Sequence, residues 1–105
     1  MARLLFATRA LADLAEIAAF IETQSGKTSA GRVLASIRRT CRYLKDMPAA
    51  GRLRPDLATD LRSFVSVDYG YVVLYRTRTG IVEVIAVIHE ARDIGTAMER
   101  RRSKS

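Results

Sequence analysis

The chain has 105 residues, 49% of them hydrophobic and 28% charged, which is enough for one core and too apolar for an intrinsically disordered chain. Eighteen Lys and Arg against eleven Asp and Glu give a net charge of +7, so an acidic partner is expected, nucleic acid or protein. A single cysteine, Cys41, and a single histidine, His89, exclude an intrachain disulfide and any Cys-rich or His-rich metal site.

The sequence reads as one domain over residues 1–105. Met1 to Phe6 lacks a charged region leading into a long apolar run, so no secretory leader is expected. No stretch approaches the roughly 18 apolar residues of a membrane span. The expected compartment is the reducing cytoplasm.

Leu4-Leu5-Phe6 predicts a short strand. Thr8 is placed to cap a helix whose apolar stripe is Ala10, Leu14, Ile17, Ala18 and Ile21, with Asp13, Glu16 and Glu22 mostly off it. Gly26 closes that helix. Thr28 or Ser29 then caps a second one, with Ala30, Val33, Leu34, Ile37, Cys41 and Leu44 on its apolar face. Arg32, Arg38, Arg39, Arg42 and Lys45 occupy its other faces, either as a solvated surface or as a docking face for an acidic partner. The short connection predicts an antiparallel helical hairpin.

Residues 48–60 read as a loop punctuated by Gly51 and Pro55. The period then changes from helical to alternating. Leu61 to Ser66, Tyr69 to Arg76 and Ile81 to His89 predict three strands of an antiparallel meander. The last of these is nearly all apolar, so it is expected at the centre of the sheet, covered on both faces. Thr96 to Arg102 offers a short helix, and the basic end, Arg100-Arg101-Arg102 and Lys104, is expected to fray as a flexible tail from about residue 100. The fold class is α+β in the order β-α-α-β-β-β, a two-layer arrangement of a helical hairpin on a small, mainly antiparallel four-stranded sheet.

This order resembles the RelE/ParE toxin superfamily over about residues 3 to 98. So do the phrases Leu61-Arg62-Ser63-Phe64 and Val73-Leu74-Tyr75-Arg76, the loop Gly51-Arg52-Leu53-Arg54-Pro55-Asp56-Leu57, and the ending Val87-Ile88-His89-Glu90-Ala91-Arg92-Asp93. The resemblance implies the toxin of a bacterial type II toxin–antitoxin pair, forming a hetero-oligomer with an acidic antitoxin. RelE-like members cleave mRNA on the ribosome, whereas ParE-like members inhibit DNA gyrase. The segment Ile88 to Asp93 is more similar to the ParE side, so a gyrase inhibitor without catalytic residues or cofactor is the leading expectation.

The RelE-like alternative requires cations for the phosphorane and groups that move protons. Arg52, Arg54, Arg62 and Arg92 match the family's basic positions by type, Arg76 is a further cation, and His89 stands where the resemblance to some nuclease members implies a catalytic His. The set is incomplete, because no Tyr follows Tyr75 and residues 98 and 99 are Met and Glu. His89 reads first as a packed or hydrogen-bonded strand-end residue, and only second as a functional one. For antitoxin or target binding the candidates are Arg38, Arg39, Arg42, Arg62, Arg76, Arg92, Arg100 and Arg101. A nucleic-acid module without toxicity ranks last, for want of a base-reading motif.

Overall fold

A computed structural model describes residues 2–104, with side chains placed through Arg101. Five strands, β1 (Arg3–Phe6), β2 (Arg52–Leu53), β3 (Leu61–Ser66), β4 (Tyr71–Arg78) and β5 (Ile81–His89), form one sheet in the order β1-β5-β4-β3-β2. β1 runs parallel to β5, and every other neighbouring pair is antiparallel. The expected four strands thus become five. β2 pairs only two residues with β3, in a segment whose exposed Arg and Leu carry no periodicity.

Helix α1 spans Thr8–Asp46 with a single non-helical residue, Gly26, at φ 90° and ψ 171°. A straight helix of 39 residues would be about 58 Å long. The molecule's longest dimension is 38 Å, so the chain doubles back at Gly26 into the expected hairpin. That backbone conformation is essentially restricted to glycine, which is why the turn sits there. The caps differ from expectation. Ala7 occupies the N-cap without a side-chain bond, and Thr28 and Ser29 lie inside the first turn of the second arm instead of before it.

The hairpin packs on one face of the sheet. Ala10 and Leu14 from the first arm and Val33, Ile37, Cys41 and Leu44 from the second meet Tyr71, Val73, Tyr75, Val82, Val84 and Val87. Ile37, Cys41 and Leu44 are fully buried, and truncating Ile37 or Leu44 to Ala costs roughly 2–5 kcal/mol. A second cluster fills the opposite face, where Leu61, Val72, Leu74, Ala86 and Ile88 pack with Ala97.

Ala97 belongs to helix α2 (Ile94–Lys104), which makes a third, partial layer where two were expected. α2 also extends past the point where fraying was expected, although the side chains of Arg102 and Lys104 lie outside the described residues. β5 is covered on both faces, as its composition predicts. Its pairing with β4 skips Ile85, since Leu74 faces Ala86 and Tyr75 faces Val84. This bulge flips the alternation, so that Val82 and Val84 point to the hairpin and Ala86 points to α2.

Candidate functional site

The arginines separate into groups at different places on the fold. Arg52, Arg54, Arg62 and Arg76 lie at the β2–β3 end of the sheet, with Arg62 on the hairpin face and Arg76, opposite Leu61, on the other. Arg54 forks onto Asp56, donating from Nε at 3.0 Å and Nη2 at 2.8 Å. That pairing lowers the Asp56 carboxyl pKa and raises that of Arg54. Arg62 lies on the hairpin face and donates to the Gly51 carbonyl at 2.7 Å. Arg76 lies 3.8 Å from the Asp60 carboxylate.

Tyr75 completes the framework at this end. Its hydroxyl accepts from the Gly51 N–H at 2.8 Å and donates to the Pro48 carbonyl at 2.7 Å. The segment 48–54 is thereby fastened to the sheet, which is why its arginines stay near β3.

His89 stands at the opposite end of the strands. Tyr71 faces His89 across β4 and β5, whereas Tyr75 faces Arg62 and Arg76 faces Leu61. Four to five residues at about 3.3 Å each put roughly 13–17 Å of strand between them. The Nδ1 of His89 accepts from the Ala91 N–H at 3.1 Å, and its ring meets that of Tyr71 edge-on at 5.1 Å. The six residues considered for nuclease chemistry are therefore split between two ends of the sheet, and most already have partners within the fold.

Arg38, Arg39 and Arg42 are exposed on the outer surface of the second arm of α1. Arg39 reaches Asp68 at 3.6 Å. Asp68 also accepts from Ser36 Oγ at 3.0 Å, part of a hydroxyl network in which Thr40 donates to Ser66 at 2.9 Å.

The fold brings Arg92, Arg100 and Arg101 together around Asp13. Asp13 was expected off the apolar stripe, yet it is buried at 5% exposure. One oxygen accepts from Arg101 Nη2 at 2.5 Å. The other accepts from the backbone N–H of Val87 at 2.9 Å. β1 pairs with β5 only as far as Val84, so Asp13 satisfies a backbone donor beyond the end of that pairing. The spacing held a signal for this, since position 13 lies three residues after Ala10 and four before Ile17, on the same stripe.

Arg9, which the sequence did not single out, joins Arg92, Arg100 and Arg101 around a recess of 160 Å³. An adjoining groove of 520 Å³ is lined mainly by Ile17, Phe20, Tyr71, Val87 and Ile88 and shares Asp13, Glu16 and Arg92 with it. Phe20 is 63% exposed there. Among the described residues, no cluster of three or more His, Cys, Asp and Glu could hold a metal ion. No helix of those residues is long and apolar enough to cross a membrane.

The family model for the ParE toxin of the type II toxin–antitoxin system parDE matches residues 4–94. The chain belongs to the ParE toxin family. It is thus the toxin of a type II toxin–antitoxin system, with an antitoxin as partner. A solved structure described as the chromosomal ParDE TA system from P. aeruginosa shares the ParE fold seen here. Its TM-score is 0.75 at 18% identity, covering 85% of this chain and 96% of that one. No curated protein matches the sequence.

Proposed function

We propose that this ParE toxin arrests growth by inhibiting DNA gyrase in the cytoplasm, and that an acidic cognate antitoxin neutralises it. The observation that carries this reading is the family match over residues 4–94. The placement of the arginines supports it. Gyrase inhibition by docking requires a surface and no reacting groups, and the fold offers cationic patches and an apolar groove. The RelE-like alternative requires His89 and the β2–β3 arginines to act on one phosphate, and they stand at opposite ends of β4.

The +7 charge accelerates encounter with an acidic antitoxin. Exposed Arg38 and Arg42 hold no ion pair among the described residues and are the leading contacts on the hairpin.

The experiment is controlled expression in growing bacteria, with plasmid topology read on chloroquine gels. The expected result is relaxation of the plasmid before protein synthesis falls, reversed by co-expression of the antitoxin. Early loss of translation with supercoiling intact contradicts the proposal.

A further inference from the structure

We propose that the recess between the first turn of α1, the β5–α2 turn and α2 is a binding site for a phosphate-type oxyanion. Its walls carry Arg9, Arg92, Arg100 and Arg101, with Asp13 and Glu16 as the acidic members.

Both oxygens of Asp13 are engaged inside the protein, one on Arg101 and one on Val87. Its charge is therefore matched within the fold. Among the described residues that line the recess, Arg9, Arg92 and Arg100 then face a single further carboxylate, Glu16. All three are exposed, and no ion pair holds any of them among the described residues. Like charges around one recess repel each other, and an anion between them replaces that repulsion with charge-assisted hydrogen bonds.

Two further features favour an anion. Arg9 lies in the first turn of α1, where the helix dipole adds positive potential. Arg101 Nη1 has no hydrogen-bond partner among the described residues, so the guanidinium that pairs with Asp13 through Nη2 keeps an unused donor beside the recess.

Size and charge define the ligand. Water occupies about 30 Å³ per molecule in the liquid. A recess of 160 Å³ therefore has room for the few heavy atoms of a phosphate, and its open side leaves anything attached to that phosphate in solvent. Three unpaired guanidiniums and one carboxylate leave two positive charges, which complements a phosphate dianion. The guanidinium fork suits phosphate oxygens in particular.

The assignment stands independently of the gyrase reading, because its readout is binding and not toxicity. The experiment titrates inorganic phosphate into the purified chain at constant ionic strength and follows arginine side-chain and backbone resonances by NMR. The expected result is saturable shifts confined to the surroundings of Arg9, Arg92 and Arg100.

Arg92→Ala/Arg100→Ala should weaken binding at least about tenfold. Arg32→Ala/Arg78→Ala removes the same charge from exposed positions elsewhere and should leave binding unchanged. Far-UV circular dichroism confirms that both double variants are folded. A short DNA duplex added in competition identifies the source of the phosphate. Displacement of the bound ion points to a nucleic-acid backbone, and retention points to a free phosphate or phosphomonoester. Shifts that never saturate, or equal weakening in both double variants, overturn the proposal.

Discussion

Asp13 and Arg101, 88 residues apart in the chain, meet in a 2.5 Å hydrogen-bonded ion pair that fastens α2 to the first arm of α1. Asp13 is 5% exposed and the Arg101 side chain 17%. Removing one partner of such a pair strands the other and costs about 3–5 kcal/mol. Asp13→Ala should therefore lower stability by about 3 kcal/mol or more in urea unfolding. The two halves of the contact separate by hydrogen exchange. Asp13→Ala should deprotect the Val87 amide, whereas Arg101→Ala should leave Val87 protected and deprotect α2.

The Tyr75–Gly51 contact predicts an asymmetric pair of variants. A Cβ built at Gly51 clashes with the Tyr75 ring and hydroxyl, closer than any real contact allows, and the ring is fully buried. Gly51→Ala should cost about 1–3 kcal/mol through overpacking. Tyr75→Phe keeps the ring and removes the hydroxyl that serves Gly51 and Pro48, and should cost about 1–3 kcal/mol. The double variant should lose less than the sum of the two, measured as a denaturation cycle.

Two glycines of the hairpin should respond with opposite signs. Gly26, at φ 90°, has open space around a built Cβ, so only backbone strain opposes Gly26→Ala. That strain amounts to about 1–3 kcal/mol. Gly31 also has nothing within 4 Å of a built Cβ and lies inside the second arm at helical dihedrals. Gly31→Ala should stabilise by about 0.5–1 kcal/mol. Thermal melts of the two single variants check the difference in sign.

Alkaline pH should weaken the fold through Cys41. Burial pushes its thiol up to about 11 from 9.0, with the Arg42 charge opposing. The unfolded thiol ionises first as pH rises, while the folded thiol keeps its proton. The stabilisation is thus complete below about pH 9 and is lost as pH climbs through about 11, a difference of roughly 3 kcal/mol. The Tyr75 hydroxyl, raised chiefly by burial, adds a change in the same direction. Urea unfolding at about pH 8 and about pH 11 should show this loss, and Cys41→Ala should show a smaller one.

Much of this fold was legible in the sequence, for physical reasons. Ala10-Leu14-Ile17 and Val33-Ile37-Cys41-Leu44 repeat at the helical period, and Gly26 interrupts them where only glycine tolerates the backbone. The continuous apolar run of β5 marks a strand covered on both sides. What stayed hidden depends on contacts between distant segments. β2 exists because β3 lies beside it, not because Arg52 and Leu53 favour a strand. The spacing puts Asp13 on the apolar stripe but does not reveal the Val87 and Arg101 partners that make its burial tolerable. The cap of α2, in which Asp93 accepts from the Thr96 N–H at 3.0 Å, sits in a stretch read as part of a family motif. The arginines were countable, but only the strand register shows that Arg62 and Arg76 are far from His89, and only α2 brings Arg9 to Arg92 and Arg100.

Antitoxin capture should depend on charge before it depends on shape. Arg38 and Arg42 are exposed one helical turn apart, and reversing both removes attraction at a distance. Arg38→Glu/Arg42→Glu should slow association with the antitoxin about tenfold or more at low salt, with a smaller change in dissociation rate. Stopped-flow association measured over a range of ionic strength checks this, and the salt dependence should flatten in the variant.

The most direct measurement of the central claim adds the purified chain to purified DNA gyrase in an ATP-dependent supercoiling assay, beside a programmed ribosome carrying intact mRNA. The account predicts dose-dependent loss of supercoiling, relief by the antitoxin, and full-length mRNA throughout. Undiminished supercoiling together with mRNA cut on the ribosome contradicts it.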